Sequence, residues 1–239
     1  SRSTVTSGMA LVKACEKLVE EVSQKLSEVL NLQLKDIKYE GGRFITSAGS
    51  FSLFQAVKMI NEGKSLRIEF TYNPPEVEKK IKGMKEAPRF FYTYDVMITK
   101  VAVDTLTGKI TVKEMEHFVD AGNIINHLIA ESQVEGAAIQ GLGFALYEEL
   151  KYSKGIPLNI NYTTYIVPSS KDVPKIKTYF VESYENLGPF GAKGIGEIGL
   201  VPVAPAIANA VRDALGISVY ELPLKAEKVI EALEILKSK

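Results

Sequence analysis

One carboxylate in this sequence stands among glycines. Glu197 lies in the run Gly188-Pro-Phe-Gly-Ala-Lys-Gly-Ile-Gly-Glu-Ile-Gly199. A backbone without Cβ atoms can approach a large ligand closely and take up positive φ. Successive N–H groups in such a loop can cradle an anion. A carboxylate held there can serve as a general base, given a dry pocket and a proton within reach. Residue types alone leave a second reading open, a surface loop with an exposed Glu. Gly194-Ile-Gly-Glu-Ile-Gly199 also fits G-x-G-x-x-G, but a dinucleotide fingerprint closes a strand and opens a helix at once. Here the next helix is expected only at Pro205, and Lys193 is followed by Gly194 rather than the Ser or Thr of a Walker A loop. A nucleotide-binding protein is therefore a distant alternative.

Metal-ligating residues are scarce. The 239 residues include one cysteine, Cys15, and two histidines, His117 and His127. One thiol cannot make an intrachain disulfide, a Cys-based zinc site or an iron–sulfur cluster. No protein-ligated metal is expected, so redox chemistry would need a cofactor not held by thiolates and an exit for electrons through another chain. Lys+Arg and Asp+Glu are both 29. This balance removes the electrostatic case for nucleic acid or an acidic membrane as partner. No apolar run approaching a membrane span is expected. The start of the sequence does not read as a signal peptide, which predicts a cytoplasmic location.

The elements that must position these residues follow from periodicity. Val12, Cys15, Leu18, Val19, Val22, Leu26, Val29 and Leu30 recur at helical steps, with Ser7 or a neighbouring Thr as cap and Cys15 as a core thiol. A second helix is expected from Phe51 to Asn61, stopping at Gly63. Leu66 to Tyr72 alternates like a strand ended by Pro74-Pro75, and Glu76 to Pro88 reads as a polar excursion. Val101 and Val103 alternate before Asp104-Thr-Leu-Thr-Gly108, and Ile110 and Val112 after it, which predicts a hairpin. Ser132-Gln-Val-Glu135 matches a capping box and predicts a helix from there to Leu150. Gly136, Gly141 and Gly143 in it mark close approach by another element or by a cofactor. Tyr162–Val167 and Ile176–Ser183 read as strands, Pro205–Leu215 and Ala226–Lys237 as helices. Strands and helices without βαβ alternation predict an α+β fold with mixed sheets packed against helices. The chain is read as one region, 1–239, with a possible subdivision near 75–88.

Four segments, in order, carry a resemblance. They are Ser1-Arg-Ser-Thr4, Asp120-Ala-Gly122 through Asn126, Gln133-Val-Glu-Gly-Ala-Ala-Ile-Gln-Gly-Leu-Gly143 and Ala192-Lys-Gly-Ile-Gly-Glu197. Together they resemble the xanthine dehydrogenase/aldehyde oxidase family of molybdenum hydroxylases, in the C-terminal part of the molybdopterin-binding large subunit. The resemblance implies a molybdenum ion held by a pterin dithiolene, with or without a nucleotide on the pterin. It implies that Glu197 is the base that activates a Mo–OH group toward an aldehyde, a purine-like N-heterocycle or carbon monoxide. It assigns cofactor contacts to Gln133, to Ile125 and Asn126, to Lys193, Gly194 and Gly196 beside the base, and to Ser1, Arg2 and Ser3. Iron–sulfur and FAD groups are implied only on partner chains or domains.

His127 stands where the family usually has Pro, and Ile198 follows the base where some relatives have Pro. The family's large subunit has a front part, absent from this sequence, that supplies the other half of the cofactor cradle and most of the substrate pocket. The expected partners are a front-half chain or domain, iron–sulfur and flavin subunits and a small-molecule substrate. The rival expectation is a non-catalytic module that scaffolds the cofactor or binds partner subunits.

Overall fold

The computed structural model describes residues 2–62, 64–73 and 91–237. Two compact units share the chain, Arg2–Phe90 with Leu187–Pro189, and Phe91–Asn186 with Phe190–Lys239. Gly63 and the segment from Pro74 to Pro88 lie outside the described residues.

In the first unit, helix α1 (Ser3–Leu30) is followed by the meander β1 (Lys38–Glu40), β2 (Arg43–Thr46), β3 (Gly49–Ser52) and by helix α2 (Leu53–Ile60). The helix–helix–meander core forms because Val22 and Leu26 of α1, Phe44 of β2 and Ala56 of α2 meet in one apolar cluster with Ile37. Ser52 and Gln55 make a reciprocal capping box that starts α2. α1 starts at Arg2 without a side-chain cap, so neither Ser7 nor a Thr caps it. Cys15 is exposed, not a core thiol. The apolar cluster meets α1 only from Leu18 onward, so the helical stripe outruns the core that could cover it. Leu66–Tyr72 forms no strand. Leu66 packs on the cluster as irregular chain instead.

The second unit is built on a hairpin. β4 (Tyr94–Val103) and β5 (Ile110–Asp120) pair antiparallel, with a register shift between Lys100 and Val101. The loop between them closes through Gly108 N–H donating to Asp104 O at 2.7 Å, with Gly108 at φ +73. β8 (Lys175–Phe180) joins β5 in parallel, giving the order β4-β5-β8. Between them lie α3 (His127–Leu146) and the short ribbon β6 (Tyr152–Ser153) and β7 (Ile156–Pro157). Tyr162–Val167, expected as a strand, is a run of turns and irregular chain.

Helices α4 (Val203–Leu215) and α5 (Ala226–Lys237) complete the unit. Met115 and Val112 of β5, Ala138 and Leu142 of α3, Val203, Ile207 and Val211 of α4 and Val229 of α5 form one core. Gly141 faces Val203 so closely that a Cβ there would overlap it, so this glycine serves helix packing. A Cβ at Gly143 would meet the flexible end of the Glu148 side chain, with Pro168 Cδ 3.1 Å away. Gly136 faces open space. The window Ile198–Leu215 is apolar and long enough by composition to qualify as a span, contrary to the expectation from sequence. Its helical part, α4, has 13 residues. At 1.5 Å per residue that is about 20 Å, short of the ~30 Å hydrocarbon core. Its apolar face is that of a core helix.

Candidate cofactor and base site

The Glu197 loop crosses the end of the hairpin and is tied to it residue by residue. Gly122 bridges Ala192, and Lys193 N–H donates to Ala121 O at 2.8 Å. Asn123 N–H donates to Gly191 O at 2.9 Å, and its side-chain amide donates to Phe190 O at 3.0 Å. Gly122 stands at φ +70, and a Cβ there would collide with Gly191 O. This is the place where glycine is required for the approach of two backbones. Further along, Thr93 Oγ1 donates to Gly194 O at 2.9 Å, and Gln133 Nε2 donates to Gly196 O at 2.9 Å.

Apolar residues fix the same loop from inside. Ile195 and Ile198 pack against Val119, Ala121 and Val134. Gly199 lies against Val134, where a Cβ would stand 3.1 Å from the Val134 Cα. With Ile195 and Ile198 turned inward, Gly196 and Glu197 between them are exposed. Glu197 sits at φ −130, ψ −13 ahead of a short 3-10 turn, Ile198–Leu200. The described residues leave Glu197 exposed and do not form around it the dry pocket that a general base needs.

Asp120, the last residue of β5, is the charged centre of the arrangement. Its Oδ1 accepts from Gly122 N–H at 3.1 Å and from Ser183 Oγ at 2.7 Å, and its Oδ2 from Lys193 Nζ at 3.0 Å. Burial pushes the carboxyl pKa up. The hydrogen bonds from Ser183, Gly122 and Lys193 outweigh it and hold the group below its ordinary value. The Lys193 side chain is only 7% exposed, and its ammonium lies 5.7 Å from the centre of the Tyr94 ring.

Helix α3 starts earlier than the Ser132–Glu135 capping box implied. Asn126 is the N-cap, and its Oδ1 accepts from Ile129 N–H at 3.1 Å. Asn is as good a cap as Ser, and the earlier cap wins because Leu128 and Ile129 tolerate the helix. Gln133 is therefore in the second turn, not the first, and makes its contact through its side chain. Ile125 and Asn126 are exposed at the start of the same helix. Arg2 and Ser3 are not a loop: they begin α1 in the other unit, with Thr6 Oγ1 donating to Arg2 O, and Ser1 lies outside the described residues.

The structure thus joins Gln133, Lys193, Gly194, Gly196 and Glu197 in one place. Asp120, Thr93, Tyr94 and Ser183 also belong to it. An Asp ahead of Ala-Gly at a strand end is the sequence signal for Asp120. The other three carry no signal. Gly136 lies three residues beyond Gln133, hence on the same helix face, and borders an open groove of about 340 Å³ lined by Ser132, Glu135, Gly136, Ile139, Val173 and Pro174. The exposed backbone of Gly196, with the Gln133 amide bonded to it, offers main-chain polar groups against which a flat heterocycle fits. Among the described residues no group of three or more His, Cys, Asp and Glu could hold a metal ion. A metal here would have to arrive with its own ligands.

Residues 1–174 match the family of molybdopterin cofactor-binding domains, and the chain belongs to that family. Its relatives include xanthine dehydrogenase and aldehyde oxidoreductase subunits. The gamma subunit of the 6-hydroxypseudooxynicotine dehydrogenase complex of Paenarthrobacter nicotinovorans is 33% identical over 239 residues, 96% of this chain and 29% of that one. The aldehyde oxidoreductase of Megalodesulfovibrio gigas is 30% identical, over 98% of this chain and 23% of its own. Among solved structures, CO dehydrogenase from Oligotropha carboxidovorans superposes with a TM-score of 0.82 at 22% identity, over 99% of this chain and 30% of that one. The aldehyde oxidoreductase of Desulfovibrio desulfuricans gives 0.65 at 35% identity, over 76% and 20%. The α+β fold is that of these molybdopterin-binding domains. The chain spans less than a third of the length of the relatives it matches.

Proposed function

We propose that this chain is the base-bearing part of a molybdenum hydroxylase, with Glu197 as general base. The Gln133–Gly196 hydrogen bond carries the reading. It brings the helix glutamine to the residue before the glutamate, so that two positions assigned to one site by resemblance meet at 2.9 Å. When bound, the molybdenum cofactor supplies a two-electron oxidant and the oxygen that enters the product. Gln133, Gly194 and Gly196 lay main-chain and amide groups along it, and Asn126 with Ile125 flanks it from the start of α3. The pterin is carried with or without a nucleotide. Glu197 takes a proton at its carboxylate and returns it to solvent. A front-half chain or domain closes over Glu197 and excludes water, as general-base chemistry requires. Electrons leave through iron–sulfur and flavin groups on other chains. The substrate class is an aldehyde, an N-heterocycle or carbon monoxide.

The test is Glu197→Gln in the chain reassembled with its front-half partner, assayed on all three substrate classes with molybdenum content measured alongside. Turnover should fall by at least about 10²-fold at unchanged metal content. Intact turnover overturns the reading. A second reading, a scaffolding module without catalysis, is favoured by the exposure of Glu197. It requires that the variant and its parent be equally inactive while still binding the partner.

A further inference from the structure

A lysine in a cofactor loop invites assignment to an anionic ligand, yet Lys193 is turned the other way. Its side chain is 7% exposed, and its ammonium is spent on Asp120 Oδ2 at 3.0 Å and on the Tyr94 ring face. A charge is kept inside a protein only when paired, and removing one partner leaves the other stranded. Asp120 is bound from three separate segments: the turn after β5 through Gly122, the chain after β8 through Ser183, and the Glu197 loop through Lys193. Of the ties between that loop and the hairpin, this one is charge-assisted, and such bonds are roughly twice as strong as neutral ones. The Thr93 and Gln133 bonds end on backbone carbonyls of Gly194 and Gly196.

The geometry points to the Asp120–Lys193 pair as a positioning lock, which holds residues 194–197 against the hairpin and thereby fixes where the Glu197 carboxylate stands. Lys193 is then a positioning residue that acts through the loop, and its side chain does not contact the cofactor. The inference rests on the reading of Glu197 as base only for its catalytic consequence; the lock itself is a property of the free chain.

The experiment is hydrogen exchange on the full chain, comparing Lys193→Met, Lys193→Arg, Asp120→Asn and the Asp120→Asn/Lys193→Met double variant. In Lys193→Met, amides from Gly194 to Leu200 should exchange about 10-fold faster while those of β5 and α3 stay as in the parent. Lys193→Arg, which keeps the charge, should restore protection to within about threefold. Asp120→Asn should loosen the loop more than Lys193→Met, because it strands a buried ammonium, and the double variant should loosen it less than Asp120→Asn. In the reassembled enzyme, Lys193→Met should lower kcat by about 10–100-fold with KM unchanged, the signature of a misplaced reacting group. Unchanged exchange at 194–200, or exchange that rises equally across β4, β5 and α3, overturns the lock. If the exchange pattern holds while Glu197→Gln retains turnover, the lock stands and the base assignment falls.

Discussion

His117 Nδ1 lies 2.8 Å from Asp95 Oδ2, and both side chains are wholly enclosed. The strand register explains the meeting. His117 is opposite Met97 on β4 and opposite Thr178 on β8, so Asp95, His117 and Thr178 share the sheet face that α3 and α4 cover. Among the described residues, the buried Asp95 Oδ1, His117 Nε2 and Thr178 Oγ1 have no hydrogen-bond partner. Asp95→Ala leaves His117 Nδ1 buried without its partner and should therefore cost about 1–3 kcal/mol of stability. Thr178→Val, which deletes an unpaired hydroxyl at constant shape, should be neutral or stabilising by about 0.5–1 kcal/mol. Urea unfolding of both variants measures this, and a large loss in Thr178→Val would show that its hydroxyl has a partner.

Asp120 sets an acid limit for the loop. A carboxyl whose pKa is lowered on folding binds fewer protons in the folded than in the unfolded chain. Its contribution is fully present above its ordinary value of 3.8 and is lost as pH falls through the lowered one. Stability should therefore drop on acidification below pH 3.8 more steeply in the parent than in Asp120→Asn. Parallel acid titrations followed by circular dichroism would refute this if the two curves had the same slope.

Gly136 and Gly122 should respond in opposite directions. Gly136→Ala adds a methyl group to open space on a helix, and should stabilise the chain by up to about 1 kcal/mol through helix propensity. If the cofactor lies on that backbone, the same variant should load less molybdenum. Gly122→Ala puts a Cβ into Gly191 O at a positive φ. It should destabilise by about 1–3 kcal/mol. Melting temperatures and metal content of the two variants, measured together, separate the roles.

Much of the fold was legible where one physical rule acted alone. The β4–β5 hairpin followed from period-two alternation around Asp104–Gly108, and α5 from its helical period. Errors came where tertiary partners decide. Leu66–Tyr72 and Tyr162–Val167 alternate like strands, but among the described residues no strand pairs with them, and a strand needs one. Cys15 lies in a helical stripe that the core does not reach. Two capping sequences competed at the start of α3, and Asn126 prevailed. The meander Lys38–Ser52 is short, and only Phe44 in it is buried. At the site, Glu197 and its glycines were visible as a local motif. Thr93, Tyr94 and Ser183 were not, because they reach the loop from distant segments and only the folded chain brings them there.

β8 pairs with β5 in parallel, and partners such as Glu116 and Lys177 are 61 residues apart in the chain. The hairpin β4–β5 can form locally, but the third strand must wait for the long connection through α3 to close. Loop-closure entropy is met before that contact is rewarded. Because Ser183 follows β8, the Asp120 hub is assembled only after this late step. During synthesis the glycine-rich segment emerges after every strand of that sheet, and a chain lacking residues 175–183 would offer the glutamate loop an Asp120 without its Ser183 partner.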